Sequence, residues 1–207
     1  GERGGGKTGV DGLEVKASDL TGKYTDLKAT VDGLSAEVKK DTKITGGGNL
    51  ILGSESFKNA ELKGNTGDGS SITYELTGGA TMANTNSNRY FRWTTVGAYV
   101  AKGVTLCLSV MYKPVSGADE FCMEIAYTAG YSTSQSWATI KPTDQLEIEQ
   151  TDGWVLRYGL WTPPDNATLK LVDMGSGTTH AGTGNYTNKF SLLHPMLQYG
   201  NAPTAWN

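Results

Sequence analysis

Val10, Leu13, Ala17, Leu20, Tyr24, Leu27, Val31, Leu34 and Val38 recur at alternating steps of three and four along the front of the chain. A repeat averaging about 3.5 residues keeps one apolar stripe aligned on a helix that supercoils with other helices. The spacing therefore predicts an α-helical coiled coil over residues 10–40. Position a holds Val10, Ala17, Tyr24, Val31 and Val38, and position d holds Leu13, Leu20, Leu27 and Leu34. Gly12, Gly22 and Gly33 fall inside this run, and each costs a helix about 1 kcal/mol relative to alanine. Burying a leucine side chain returns about 1.5–3 kcal/mol, and only association buries these leucines. Helix formation and assembly are thus expected as one event, with the chain as an oligomer. The strand number stays open. β-Branched a with leucine d favours two strands, Ala17 and Tyr24 blur that preference, and the g-to-e pair Lys23 with Lys28 selects no partner.

After Val38 the rhythm stops. Residues 41–48, DTKITGGG, combine polar side chains with three glycines and read as a linker. From Asn49 onward, short runs rich in Val, Ile, Thr, Tyr and Trp alternate with Gly, Asn, Ser and Pro, which predicts an all-β jelly-roll sandwich over residues 49–207. Val104, Leu106, Leu108, Val110 and Tyr112 share one strand face, opposite Thr105, Cys107, Ser109 and Met111. Phe121, Met123, Ile125 and Tyr127 oppose Cys122, Glu124 and Ala126. Trp154, Leu156, Tyr158 and Leu160 oppose Val155, Arg157, Gly159 and Trp161, with Trp154 and Phe121 expected in the core. Residues 168–174 give a further strand. In RYFRWTTV, residues 89–96, Tyr90 and Arg92 share one face and Phe91 and Trp93 the other, so only one pair points outward.

A formal charge of −3 over 207 residues, with no basic stripe, argues against nucleic acid as a partner. No stretch approaches the ~20 apolar residues of a membrane span, and the glycine-rich start is no secretion signal. Residues 1–9, GERGGGKTG, read as a glycine-rich linker whose two triplets resemble the end of a collagen-like repeat. They also match GxxxxGK[ST] through Gly1, Gly6, Lys7 and Thr8. That match is read as coincidence, because a coiled coil follows where a phosphate loop needs a strand before it and a sheet-packed helix after it. Cys107 and Cys122 are too few for a disulfide framework or a zinc site. They are expected as free thiols, with a bridge between neighbouring strands left open. The two histidines, His180 and His194, come with no GxSxG elbow. The carboxylates Glu124, Glu147, Glu149, Asp152 and Asp173 single out no catalytic pair. Binding without catalysis is therefore expected, with no cofactor; a structural calcium is left open and unassigned because no DxDxDG loop is present.

Four segments carry a resemblance: Asn49-Leu50-Ile51-Leu52-Gly53, GVTLCLSVMYKP, DGWVLRYGLWTPPDNATLKL and the closing HPMLQYGNAPTAWN. Together they resemble a jelly-roll carbohydrate-binding module, and the closing segment is similar to modules at the ends of bacteriophage tail and baseplate proteins that infect Gram-positive hosts. The resemblance implies a phage receptor-binding protein, a homotrimer whose heads bind host cell-wall polysaccharide. It further implies a place in the virion, at a tail tip or baseplate assembled in the host cytoplasm, beside other virion tail or baseplate proteins. The alternative is a structural knob or docking module with no glycan site. Such families share the sandwich better than the ligand residues, so site residues are sought from chemistry. A pyranose needs an apolar plate for its C–H face and polar groups for paired hydroxyls. Trp161, Trp137, Tyr90 and Tyr186 are the candidate plates, and Arg157, Glu124, Arg92 and His180 the candidate polar partners. Trp93, Tyr131 and Asn185 belong to the wider pool. Loop 175–188, GSGTTHAGTGNYTN, is long, small and polar, with Tyr186 and His180 as its anchors. Trp206 is expected to pack at the end of the domain.

Overall fold

The computed structural model describes residues 19–20, 23–24, 48–65, 67, 69–177 and 186–204. The chain divides into two compact units, Gly1–Ile44 and Thr45–Asn207. In the first, residues 19–20 and 23–24 are helical. Lys23 Nζ bonds Asp19 one turn away at 2.9 Å, and the side chains of Leu20 and Tyr24 are exposed. The rest of the expected coiled coil, the stretch 1–9 and the linker up to residue 47 lie outside the described residues.

The second unit contains twelve described strands: β1 (Glu61–Gly64), β2 (Ser71–Tyr74), β3 (Ala80–Ser87), β4 (Arg89–Thr94), β5 (Tyr99–Val100), β6 (Leu106–Gly117), β7 (Phe121–Ala129), β8 (Gln135–Ile140), β9 (Leu146–Glu149), β10 (Val155–Trp161), β11 (Ala167–Ser176) and β12 (Tyr186–Tyr199). They form two antiparallel sheets. The first runs β1-β4-β11-β7-β8, with β5 also pairing β11, and the second runs β2-β3-β12-β6-β10-β9. The chain crosses between sheets from β1 to β2, β3 to β4, β5 to β6, β6 to β7, β8 to β9, β10 to β11 and β11 to β12. Consecutive long strands therefore face each other across the core, as in a jelly roll.

Period-two alternation fills that core. Phe91, Trp93, Phe121, Met123, Ile125, Leu169, Val172 and Met174 come from the first sheet, and Met82, Leu106, Leu108, Val110, Tyr112, Phe190, Leu192 and Leu197 from the second. Phe57, in a short 3-10 turn, packs edge-on against Phe91 at 4.9 Å and Trp93 at 5.0 Å. The start of the unit is sewn to β12. Asn49 Nδ2 donates to Pro195 O at 2.8 Å, and its Oδ1 accepts from Leu197 N at 3.0 Å, so this side chain satisfies backbone groups where β12 bulges between Leu193 and Met196.

The inward parity of β6 and β7 is as the alternation predicts. That of β10 is the reverse: Val155, Arg157 and Gly159 are buried, whereas Leu156 and Tyr158 are half-buried and Leu160 exposed. Two features hide this from the alternation. A Cβ on Gly159 would run into Ile140, which fills the space above it. The Arg157 guanidinium lies 3.9 Å from the Tyr112 ring centroid, so a charged residue occupies an inward position by stacking. Trp154, expected in the core, is only half-buried and stands outside the core cluster.

Cys107 and Cys122 are free and buried, which closes the alternative of a bridge. They lie on β6 and β7, in opposite sheets, each on the side of its sheet away from the core. Burial pushes both thiols up to about 12 from an ordinary value of 9.0. A folded thiol then keeps a proton that the unfolded chain releases above pH 9, so this stability is complete below pH 9 and is lost as the pH climbs toward 12. Melting scans are expected to show a falling midpoint above pH 9, and a thiol reagent at pH 8 should label neither cysteine until the fold is opened. Rapid labelling of the native chain would contradict this burial.

Candidate functional site

The same alternation that sends Phe91, Trp93, Val172, Met174, Met123 and Ile125 inward sends their neighbours to the outer face of the first sheet. Register aligns those neighbours into a transverse row. Glu61 on β1 lies opposite Arg92 on β4, Arg92 opposite Asp173 on β11, Asp173 opposite Glu124 on β7, and Glu124 opposite Thr139 on β8. A bulge between Leu169 and Leu171 sets the phase of β11, allowing Leu169, Val172 and Met174 to face the core while Asp173 faces out. On one side of the row lie Lys63, Tyr90, Gly175 and Cys122, and on the other Thr94, Leu171, Ala126 and Trp137.

Arg92 is the hub. Its Nε and one terminal nitrogen donate to the two Asp173 carboxylate oxygens at 2.8 and 2.6 Å, the bidentate geometry that makes such pairs strong. Its Cζ lies 5.5 Å from the Tyr90 ring and 5.3 Å from the Trp137 ring. Arg92 and Trp137 arise from strands with two others between them, so their side chains meet above β11 and β7. The Asp173 bonds, set against burial, raise the guanidinium pKa and keep it charged. Beneath it Asp173 and Glu124 are both 0% exposed, and Glu124 Oε1 accepts from Thr139 Oγ1 at 2.9 Å. Tyr90 lies over a position that must be glycine. A Cβ on Gly175 would strike Arg89 O and the Tyr90 backbone, so glycine there allows β4 and β11 to close up.

The chemistry available is that of recognition. The Trp137 ring and the Arg92 fork are half-buried on this face, the Tyr90 ring beside them is only 7% exposed, and the two carboxylates sit below the surface with one of them held by the fork. Among the described residues, no group of three or more His, Cys, Asp or Glu side chains could hold a metal ion.

No protein-family model matches the chain, and no curated protein matches it. Solved structures do. One is the enzymatically active domain of tailspike protein 4 from bacteriophage CBA120, at 11% identity and a TM-score of 0.47, covering 73% of this chain and 21% of that one. The chain thus spans about a fifth of the tailspike chain's length. Another is a family 16 carbohydrate-binding module, at 14% identity and a TM-score of 0.43, covering 72% of this chain and 99% of that one. A third is the CBM22-1 xylan-binding domain of Paenibacillus barcinonensis Xyn10C, at 14% identity and a TM-score of 0.39, covering 77% and 100% respectively.

Of the eight residues singled out from the sequence, Tyr90, Arg92, Glu124 and Trp137 share this face. Arg157 does not. It lies in the second sheet, 6% exposed, bonded to Asp119 at 2.8 Å and to Glu147 through its Nε at 2.8 Å. Burial lowers the pKa of this guanidinium, but the bonds and charge of Asp119 and Glu147 outweigh it and the net shift is upward. Arg157 is thus a strut tying β10 to β9 and to the β6–β7 loop. Trp161 also turns inward, packed against the core with its ring 4.6 Å from that of Tyr127. Tyr186 opens β12 opposite Ser87, with its ring against Gly177 at the end of β11. His180 and Trp206 lie outside the described residues. Trp93 is core, and Tyr131 is fully exposed on the β7–β8 turn.

Asp173, Thr139 and Glu61 complete the row; Asp173 was weighed only as one of five carboxylates that single out no catalytic pair, and none of the three was a binding candidate. Asp173 carries a signal of its own, a carboxylate in the middle of the apolar run LKLVDMG. Thr139 and Glu61 become visible only through strand register.

Proposed function

We propose that this unit binds polysaccharide on the outer face of its first sheet, and that the full chain is a phage receptor-binding protein. In this reading the chain is a homotrimer that presents three heads to the wall polysaccharide of a Gram-positive host and does not cleave it. The observation that carries the reading is the row Glu61–Arg92–Asp173–Glu124–Thr139 flanked by Tyr90 and Trp137. A fold has no need of it: replacing a buried ion pair with apolar residues is often neutral or stabilising. The outer side of a sheet that keeps charge and aromatic rings together is built to meet a ligand with both apolar and hydroxyl faces, as a pyranose has. The leucine stripe supplies the valency. A single shallow sugar site is weak, and three on one shaft raise avidity by roughly 10²–10⁴ where geometry allows simultaneous contact.

The test uses the full chain. Sedimentation equilibrium at micromolar concentration is expected to give three times the chain mass, and incubation with purified Gram-positive walls should retain the protein without releasing reducing sugar. A monomer would remove the multivalent part of the reading, sugar release would replace binding with hydrolysis, and absence of retention would remove the glycan part.

One observation favours a second reading, a knob that docks on another protein. Leu146, Ile148 and Leu160 are exposed on the outer side of β9 and β10, beside a groove of ≈ 310 Å³ lined in part by Met111, Leu156, Leu193 and Met196. That reading predicts a chain that ignores walls altogether.

A further inference from the structure

The outer face of the second sheet carries a row of its own. Thr73 on β2 lies opposite Thr81 on β3, Thr81 opposite Ser191 on β12, and Ser191 opposite Lys113 on β6. Trp154 continues the line, since Val155 beside it pairs with Tyr112. The flanking residues Ile72, Met82, Leu192 and Tyr112 belong to the core or pack on it, so alternation turns the row outward. The Thr81 and Ser191 hydroxyls are 2.7 Å apart, and Thr81 Oγ1 donates to Glu75 Oε1 at 3.4 Å. Glu75, Thr81, Ser191 and Trp154 line an open groove of ≈ 220 Å³.

The ring of Trp154 is held in place by local structure. Asp152 and Gly153 both adopt positive φ, at 58° and 75°, the conformation of a type I′ hairpin turn. Trp154 N donates to Thr151 O across that turn at 3.1 Å, and the Lys113 ammonium stands 6.0 Å from the ring centroid. An indole fixed this way and left half-exposed is a plate with no partner in the core.

We infer that this groove is a second saccharide-binding site, taking one or more pyranose rings of a neutral sugar chain. The C–H face of a sugar ring stacks on Trp154. The Glu75 carboxylate accepts sugar O–H bonds, and the Thr81 and Ser191 hydroxyls, which both donate and accept, complete the set. Glu75 and Lys113 bring opposite charges to the same row, which suits a neutral chain. The inference shares with the proposed function only the class of ligand, since none of its residues belongs to the first face. Each head would then hold two sites on opposite sides of the sandwich, able to bridge two polysaccharide strands.

Calorimetric titration of the full chain with cellohexaose and with chitohexaose tests this, in wild type, Trp137→Ala, Trp154→Ala and the double variant. The Trp137→Ala chain is expected to retain a binding event with at least one of the two sugars. Adding Trp154→Ala should weaken that event tenfold or more, and Ser191→Ala, the milder variant, should weaken it severalfold. Retained binding that depends on Trp154 and not on Trp137 would support this site while overturning the first-face reading. Binding that depends on Trp137 alone, or no binding of either sugar by the Trp137→Ala chain, would overturn this site.

Discussion

Arg92→Met is expected to lower the stability of the 45–207 unit by about 3–5 kcal/mol, a fall in melting temperature on the order of 10 °C for a unit of this size. The loss arises from Asp173, whose side chain is 0% exposed and whose two oxygens both accept from Arg92. Without the guanidinium, a charge buried in the middle of the sheet loses its counter-charge. Methionine preserves most of the apolar stem, which confines the effect to the charge. Adding Asp173→Asn, which removes the buried charge, should restore at least half of the loss. Urea unfolding of the three chains checks this. Failure of the double variant to recover would assign the loss to packing around Tyr90 and Trp137 instead.

Trp137→Ala is expected to cost about 2–3 kcal/mol of saccharide binding, roughly 30- to 150-fold in affinity, because one aromatic plate buries that much apolar surface against a sugar ring. Its effect on folding should stay near 1 kcal/mol, since Trp137 is half-buried on β8 and outside the core cluster. The separation between the two variants is the informative feature. Arg92→Met damages the fold and the site together, whereas Trp137→Ala should damage the site alone.

Alternation within strands made the core of β6 and β7 legible in the sequence, because apolar residues occupy every second position from Leu106 to Tyr112 and from Phe121 to Tyr127. It also paired Tyr90 with Arg92 and Phe91 with Trp93, leaving open only which pair faced out. Phe57 decides that: it closes against Phe91 and Trp93 and so turns Tyr90 and Arg92 outward. Alternation misreads β10 because its inward positions are held by a glycine under Ile140 and an arginine over Tyr112, side chains whose burial depends on neighbours from other strands. Trp154 is misplaced for the same reason. The candidate site was half legible. Aromatic and charged residues could be named, but their gathering into one row depends on which strands pair and in what register, and the bulge after Leu169 that turns Asp173 outward has no mark in the sequence.

In the reading proposed above, the outer face of the first sheet holds a polysaccharide. The decisive experiment is quantitative pull-down of the full chain on purified Gram-positive cell walls, comparing wild type with Trp137→Ala at matched folding. Saturable retention of the wild type, competed by solubilised wall polysaccharide, is expected, with an affinity at least tenfold weaker for the variant. Equal retention of both chains would contradict it.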